Sequence, residues 1–140
     1  MIGIETREKL TSINTWKKLG PICKKHKKNL NEIIKKLKMK KSIAAYGASA
    51  RSSTLINFLN LDNQTIQRVF DLNPLKENLF TPGSYIKIEK PIAKKINKYD
   101  VIFLLAWNFK DEIIKFLNRV KFKGDVIIPL PNIKLQKIKR

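Results

Sequence analysis

A short apolar run, Ile43-Ala44-Ala45-Tyr46, stops at Gly47, and the small and hydroxyl residues Ala48-Ser49-Ala50-Arg51-Ser52-Ser53-Thr54 follow before a helical pattern begins. That order predicts a buried strand, a tight turn and a helix N-terminus. Such a turn aims free backbone N–H groups and the positive end of a helix dipole at one spot, which suits a phosphate. Small side chains let a ligand approach the backbone closely.

The rest of the chain repeats the strand–helix theme. Residues 1 to about 40 read as wholly helical, with Leu10, Ile13 and Trp16 on one face. Gly20-Pro21 is expected to break this helix, with Pro21 at the first position of the next. There Cys23, Leu30, Ile33, Ile34 and Leu37 form an apolar stripe at helical spacing, and the lysines opposite read as a solvated face. A helix is expected over Ser53–Leu59, a strand over Ile66–Phe70 and a turn-rich loop from Leu72 to Gly83. Alternation then suggests a weaker strand, Tyr85–Ile88, and a short helix, Ile92–Asn97. The most apolar strand, Val101–Ala106, and the amphipathic helix Asp111–Val120 follow. The last strand, Val126–Ile128, is closed by Pro129-Leu130-Pro131. Strands alternating with helices imply a parallel sheet covered on both faces, an α/β fold of three layers in the order 3-2-1-4-5. Domain organisation reads as an N-terminal helical segment, residues 1–41, and a Rossmann-like domain, residues 42–140.

Composition narrows the function classes. The 140 residues suit one domain, and 43% hydrophobic residues suit a folded one. No apolar run approaches the ~20 residues that span a membrane, and Met1-Ile2-Gly3-Ile4-Glu5-Thr6 lacks the pattern of a signal peptide. The single cysteine, Cys23, cannot form an internal disulfide. The expectation is a cytoplasmic protein with no membrane partner. The formal charge is +19, from 30 Lys+Arg against 11 Asp+Glu, and such a charge can attract nucleic acid. The basic residues are nearly all Lys and are spread over the whole chain, as AT-rich coding also produces, and no nucleic-acid motif accompanies them. Nucleic acid is therefore not the expected partner.

Several residues could carry chemistry. Ligands of doubly wound sheets bind at the carboxyl ends of strands where the strand order reverses. The loop Gly47–Ser53 would there face Ala106-Trp107-Asn108, with Asp71 at the end of the neighbouring strand. The dinucleotide pattern G-x-G-x-x-G appears as Gly47-Ala48-Ser49-Ala50-Arg51-Ser52, with two glycines replaced, which argues against NAD or FAD bound in the usual way. On the residues alone, ligand binding and a structural role for this segment stand level: Gly47 can serve the turn, and Ser52 or Ser53 can cap the helix. Arg51 tips the balance toward an anion, since a guanidinium beside a helix start matches phosphate geometry. Asp71, before Leu72-Asn73-Pro74, reads first as a turn-maker unless the site is a nucleotide site. Asn108 can be an N-cap with Asp111 as its capping partner. Trp107 can be core, or can stack on a base or sugar. Hydrolase and metal readings fail. Arg51 replaces the last glycine of a G-x-S-x-G elbow, and His26 precedes the serine. Cys23-x-x-His26 is at most half a metal site.

A family resemblance adds to this. The stretch from Tyr46 to Asn57 resembles the G-Y-G-A-x-A-K-G-x-T-L-L-N segment of sugar C-methyltransferases, which methylate a carbon of nucleotide-linked deoxysugars. Asp71-Leu72-Asn73-Pro74-Leu75-Lys76 is similar to the family's D-x-N-P-x-K. Pro82-Gly83 is similar to its P-G turn, and Leu105-Ala106-Trp107-Asn108-Phe109-Lys110-Asp111-Glu112-Ile113 to its L-A-W-N-x-x-D-E-I. Pro129-Leu130-Pro131 matches the closing segment. The resemblance runs from about Ser42 to Ile133, and Arg51 stands for a Lys, Ser52 for a Gly and Asn78 where a Gly is usual.

The resemblance is to the C-terminal domain of such enzymes. It implies a Rossmann-like domain without the S-adenosylmethionine site, which helps to hold the nucleotide-diphosphate sugar. It further implies that the zinc-binding and methyltransferase domains, with the catalytic Tyr and His, belong to a parent chain or partner subunit; the N-terminal helices resemble the segment that leads out of the methyltransferase domain, with a fragment, a split-gene product and an independent chain all left open. The expected substrate-binding residues are Gly47, Ala48, Ser49, Arg51, Ser52, Ser53, Asp71, Trp107 and Asn108, with no catalytic residue, no metal and no cofactor in this domain. The competing readings are a basic nucleic-acid-binding or protein-interaction module and an independent small-nucleotide enzyme.

Overall fold

The structure, a computed structural model, describes residues 12–138. A long helix, α1 (Ile13–Lys38), leads into β1 (Ile43–Tyr46), and α2 (Ala50–Phe58) follows. Then come β2 (Val69–Phe70), a 3₁₀ turn at Pro74–Lys76, β3 (Ile88–Glu89) and α3 (Ala93–Ile96). The chain continues through β4 (Val101–Leu104), a second 3₁₀ turn at Trp107–Phe109, α4 (Lys110–Arg119), β5 (Asp125–Ile128) and β6 (Lys134–Lys137). The sheet order is β3-β2-β1-β4-β5-β6. The first five strands are parallel, in the order 3-2-1-4-5 that the sequence predicts. Strand β6 is a further edge strand, antiparallel to β5.

Two cores lie on opposite faces of this sheet. Ile43, Ala45, Val101, Phe103 and Ile127 pack with Leu30 and Ile34 of α1 and Leu55 and Ile56 of α2. The alternate residues Ala44, Tyr46, Ile102, Leu104, Val126 and Ile128 pack with Ile96 of α3 and Ile113 and Leu117 of α4. Covering both faces is what makes the central strands continuously apolar. Among the described residues, no helix is long and apolar enough to cross a membrane.

Several expected boundaries are corrected. Helix α1 does not break at Gly20-Pro21 but runs through Pro21. Proline's fixed φ is itself close to the helical value, and Gly20 has no Cβ for the pyrrolidine ring to strike, so the helix loses one hydrogen bond and continues. Leu30 and Ile34 are buried as expected, whereas Ile13 and Trp16 are exposed, and Leu10 lies outside the described residues. Strand β2 is only Val69–Phe70 because residues 62–66 form a turn: the Asp62 carboxylate accepts the N–H groups of Gln64 and Thr65, and its carbonyl accepts that of Ile66. Strand β3 begins at Ile88 rather than Tyr85, whose φ of 51° belongs to a turn closed by Thr81 Oγ1 accepting the Ile86 N–H at 2.9 Å. Helix α2 begins at Ala50, three residues before the expected Ser53.

Adjacent β1 and β4 are locked at their starts. The Ser42 N–H and hydroxyl both donate to Asp100 Oδ2 at 2.8 Å. These two hydrogen bonds, the backbone one first, hold the Asp100 carboxyl below its ordinary value of 3.8. A lowered carboxylate stabilises the fold above its unfolded value and loses that contribution as pH falls through the folded one. Asp100→Asn should therefore melt below wild type at neutral pH, and the gap should shrink below about pH 4. Melting temperatures of both proteins across acid pH test this, and a gap that persists unchanged would refute it.

Candidate functional site

The site begins where β1 ends. Gly47 has φ 100°, a left-handed value open to glycine, and its N–H donates to Phe70 O at 2.7 Å. A Cβ at Gly47 would lie 2.5 Å from Ala106 Cβ and 3.0 Å from Ala106 N, so glycine is required by space as well as by φ. The chain leaves β1 pressed against the end of β4, where Tyr46 O accepts the N–H groups of both Leu105 and Ala106.

The helix start that follows is closed by two serines. Ser49 is the N-cap of α2: its Oγ accepts the Ser52 N–H at 3.3 Å, and Ser52 Oγ accepts the Ser49 N–H at 3.2 Å. The two hydroxyls are 2.8 Å apart, and Ser52 is buried. The cap is therefore Ser49 and not Ser52 or Ser53, and Ser52 is the reciprocal member of the box. This arrangement leaves the N–H groups of Ala50 and Arg51, the first two of the helix, without intrahelical partners.

Asp71 combines two roles weighed from sequence. Its Oδ2 accepts the Ala48 N–H at 2.7 Å and its Oδ1 accepts the Asn73 N–H at 2.8 Å, so it builds the turn and ties it to the glycine loop. Lys76 clamps the same junction, donating to Ala48 O at 2.6 Å and lying 3.5 Å from Asp71 Oδ2. Asn78, where the resemblance expects a glycine, has φ 67°.

These elements border an open cleft of about 560 Å³ at the carboxyl ends of the strands. Tyr46, Gly47, Ala48, Ser49, Asp71 and Leu72 form one side, and Ala106, Phe109, Glu112, Ile113, Phe116 and Arg119 the other. The Tyr46 and Phe116 rings meet at 5.9 Å between centroids. Burial, and then the Asp71 carboxylate, push the Tyr46 hydroxyl up to about 12, so it stays a neutral phenol facing the cleft.

Of the residues expected from sequence, Gly47, Ala48, Ser49 and Asp71 line this cleft. Arg51 is exposed, Ser52 is buried in the capping box and Ser53 is half-buried, and none of the three lines it. Trp107 is half-buried against both cores. Asn108 is exposed and caps nothing: α4 follows the 3₁₀ turn directly, with Phe109 in the cap position and no side-chain bond. The Lys110 N–H, which an Asn108 cap would bond, donates instead to Trp107 O within the 3₁₀ turn. The α4 wall was missed from sequence. Phe109, Glu112, Phe116 and Arg119 recur at helical spacing beside the Ile113 and Leu117 stripe, and that periodicity was the available signal.

With this geometry, comparison with known proteins identifies the family. A family model described as the C-methyltransferase C-terminal domain matches residues 1–131, and the chain belongs to that family. It is similar to the C-methyltransferase NovU of Streptomyces niveus, at 36% identity over 94 residues, 65% of this chain and 22% of that protein. The chain thus spans about a fifth of that relative's length. Among solved structures it aligns with UDP-D-quinovosamine 4-dehydrogenase from Vibrio fischeri, with a TM-score of 0.44, 20% identity, and coverage of 71% of this chain and 94% of that one.

Gly47→Ala tests the crowding at the root of the cleft. Strain at positive φ and the contact with Ala106 together should cost about 2–4 kcal/mol. Urea unfolding of the two proteins gives the difference, and a loss below about 0.5 kcal/mol would show that Ala106 yields freely.

Proposed function

We propose that this domain binds a nucleotide-diphosphate sugar in the cleft beside Gly47 and serves as the substrate-holding part of a sugar C-methyltransferase. The observation that carries this reading is the joining of a free helix start to an apolar wall in one cleft. The N–H groups of Ala50 and Arg51 open the helix whose cap, Ser49, lines the cleft. The Phe109, Ile113 and Phe116 side chains supply the apolar wall. Backbone donors at a helix N-terminus suit phosphate, and aromatic faces suit a base or deoxygenated sugar ring. Asp71, already an acceptor from two backbone N–H groups, has lone pairs left for a sugar hydroxyl. A cleft of about 560 Å³ lies within the usual range for small-molecule sites. The family membership and the similarity to a C-methyltransferase support the same substrate class.

Methyl transfer itself is assigned elsewhere. Among the described residues, none that lines the cleft is a histidine or cysteine, and its tyrosine is held as a neutral phenol. S-adenosylmethionine would be held by a methyltransferase domain or subunit that meets this cleft. The basic charge supports no competing nucleic-acid reading, since lysines are scattered over α1, α3, α4 and β6.

Two titrations test the proposal. Calorimetry with a dTDP-sugar should give saturable binding that survives a rise from low to moderate salt, because a recessed site is screened less than surface lysines are. Binding abolished by salt would indicate non-specific attraction instead. The same protein titrated with S-adenosylmethionine should give no saturable heat, and micromolar affinity would place the methyl donor in this domain.

A further inference from the structure

We propose that Arg119, at the end of α4, grips the diphosphate of the bound ligand with its guanidinium, and that Arg51 does not. This assignment rests on the nucleotide reading of the cleft. Three arginines fall among the described residues: Arg51, Arg68 and Arg119. Arg68 is already committed, with Nε 2.8 Å from Glu89 Oε1 and Nη1 donating to Gln67 O at 2.6 Å. Arg51 and Arg119 are both exposed, and Arg51 does not line the cleft. Arg119 lines the cleft, and among the described residues it forms no ion pair.

The spacing on α4 explains its placement. Phe109 precedes the helix, and Glu112, Phe116 and Arg119 follow at intervals of three or four residues, so one face carries both the aromatic wall and the guanidinium. Among the described residues, Arg119 is the single cation lining the cleft. The two carboxylates there do not neutralise it. Asp71 is engaged by Lys76 and two backbone N–H groups. Glu112 stands two helical turns away, about 10 Å along the axis. A dianionic diphosphate entering this cleft would otherwise face the Glu112 carboxylate with only helix-start N–H groups in its favour. A planar guanidinium that can bind two phosphate oxygens at once supplies the missing countercharge.

A basic residue in the last turn of a helix also favours the helix dipole, so a purely structural role must be separated. Arg119→Lys keeps the positive charge at the helix end and removes the two-pronged grip. Calorimetry on the full chain would use dTDP and, as the phosphate-free probe, thymidine. The proteins are wild type, Arg119→Lys, Arg119→Ala and Arg51→Ala, each with its melting temperature measured. The expected result is a loss of dTDP affinity of about ten- to a hundredfold in Arg119→Ala and at least tenfold in Arg119→Lys. Thymidine binding should be unchanged throughout, Arg51→Ala should bind dTDP like wild type, and Arg119→Lys should keep the wild-type melting temperature. Wild-type dTDP affinity in either Arg119 variant, or an equal loss for thymidine, overturns the assignment while leaving the nucleotide site standing. A wild-type protein that binds no dTDP removes the nucleotide reading and this assignment together.

Discussion

The carboxyl edge of this sheet depends on one close approach, that of the Gly47 backbone to Ala106. Tyr46 O accepts the N–H groups of Leu105 and Ala106, the two residues that follow β4, and the residue after Tyr46 must turn away within the space of a missing side chain. That turn sets the direction of the chain into Ser49. The serine box then starts α2 three residues past the strand. The Asp71–Lys76 clamp fixes the loop from the other side. The cleft is what remains between this pinned loop and α4, so its shape follows from backbone contacts more than from the ligand-facing side chains.

Those contacts also limit what the loop offers a ligand. A glycine-rich nucleotide loop presents successive backbone N–H groups to phosphate. Here Phe70, Asp71 and Ser52 take the N–H groups of Gly47, Ala48 and Ser49 in turn. Where the dinucleotide pattern has its second glycine, this chain has Ser49, whose side chain caps the helix from within. The replacement trades close backbone approach for a self-satisfied turn. That trade leaves the side chains of the opposite wall, rather than the loop's first N–H groups, as the groups still open toward the cleft.

The sequence made the sheet legible because its strands are buried on both faces and its connections follow right-handed rules. Ile43–Tyr46 and the run beginning at Val101 were unmistakable as apolar stretches, and their adjacency follows from the order. Boundaries failed where local hydrogen bonding outweighed periodicity. The Asp62 carbonyl takes the N–H of Ile66, the expected start of β2, and Thr81 Oγ1 takes that of Ile86 before β3. Strand β6 was illegible because Lys134-Leu135-Gln136-Lys137 is an exposed edge with only weak alternation. For the site, Gly47 through Ser49 and Asp71 were readable from turn chemistry. The α4 wall was not, because Ile113 and Leu117 give the same period as Phe109, Phe116 and Arg119 and drew attention to the core-facing stripe.

The two edges of the sheet close it against further growth. On one side β3 has only two residues, and the outward N–H and C=O of Ile88 are taken by Leu79 O and the Asn78 N–H, which leaves no open row to template another strand. On the other, β6 carries Lys134 and Lys137 at its ends, so a second copy pairing there would bring ammonium groups together. A sheet whose interior strands are this apolar would aggregate if its rims were long and neutral. Rims of this kind oppose edge-to-edge pairing of folded copies, and like-charge repulsion from the lysine excess acts in the same direction without any binding partner.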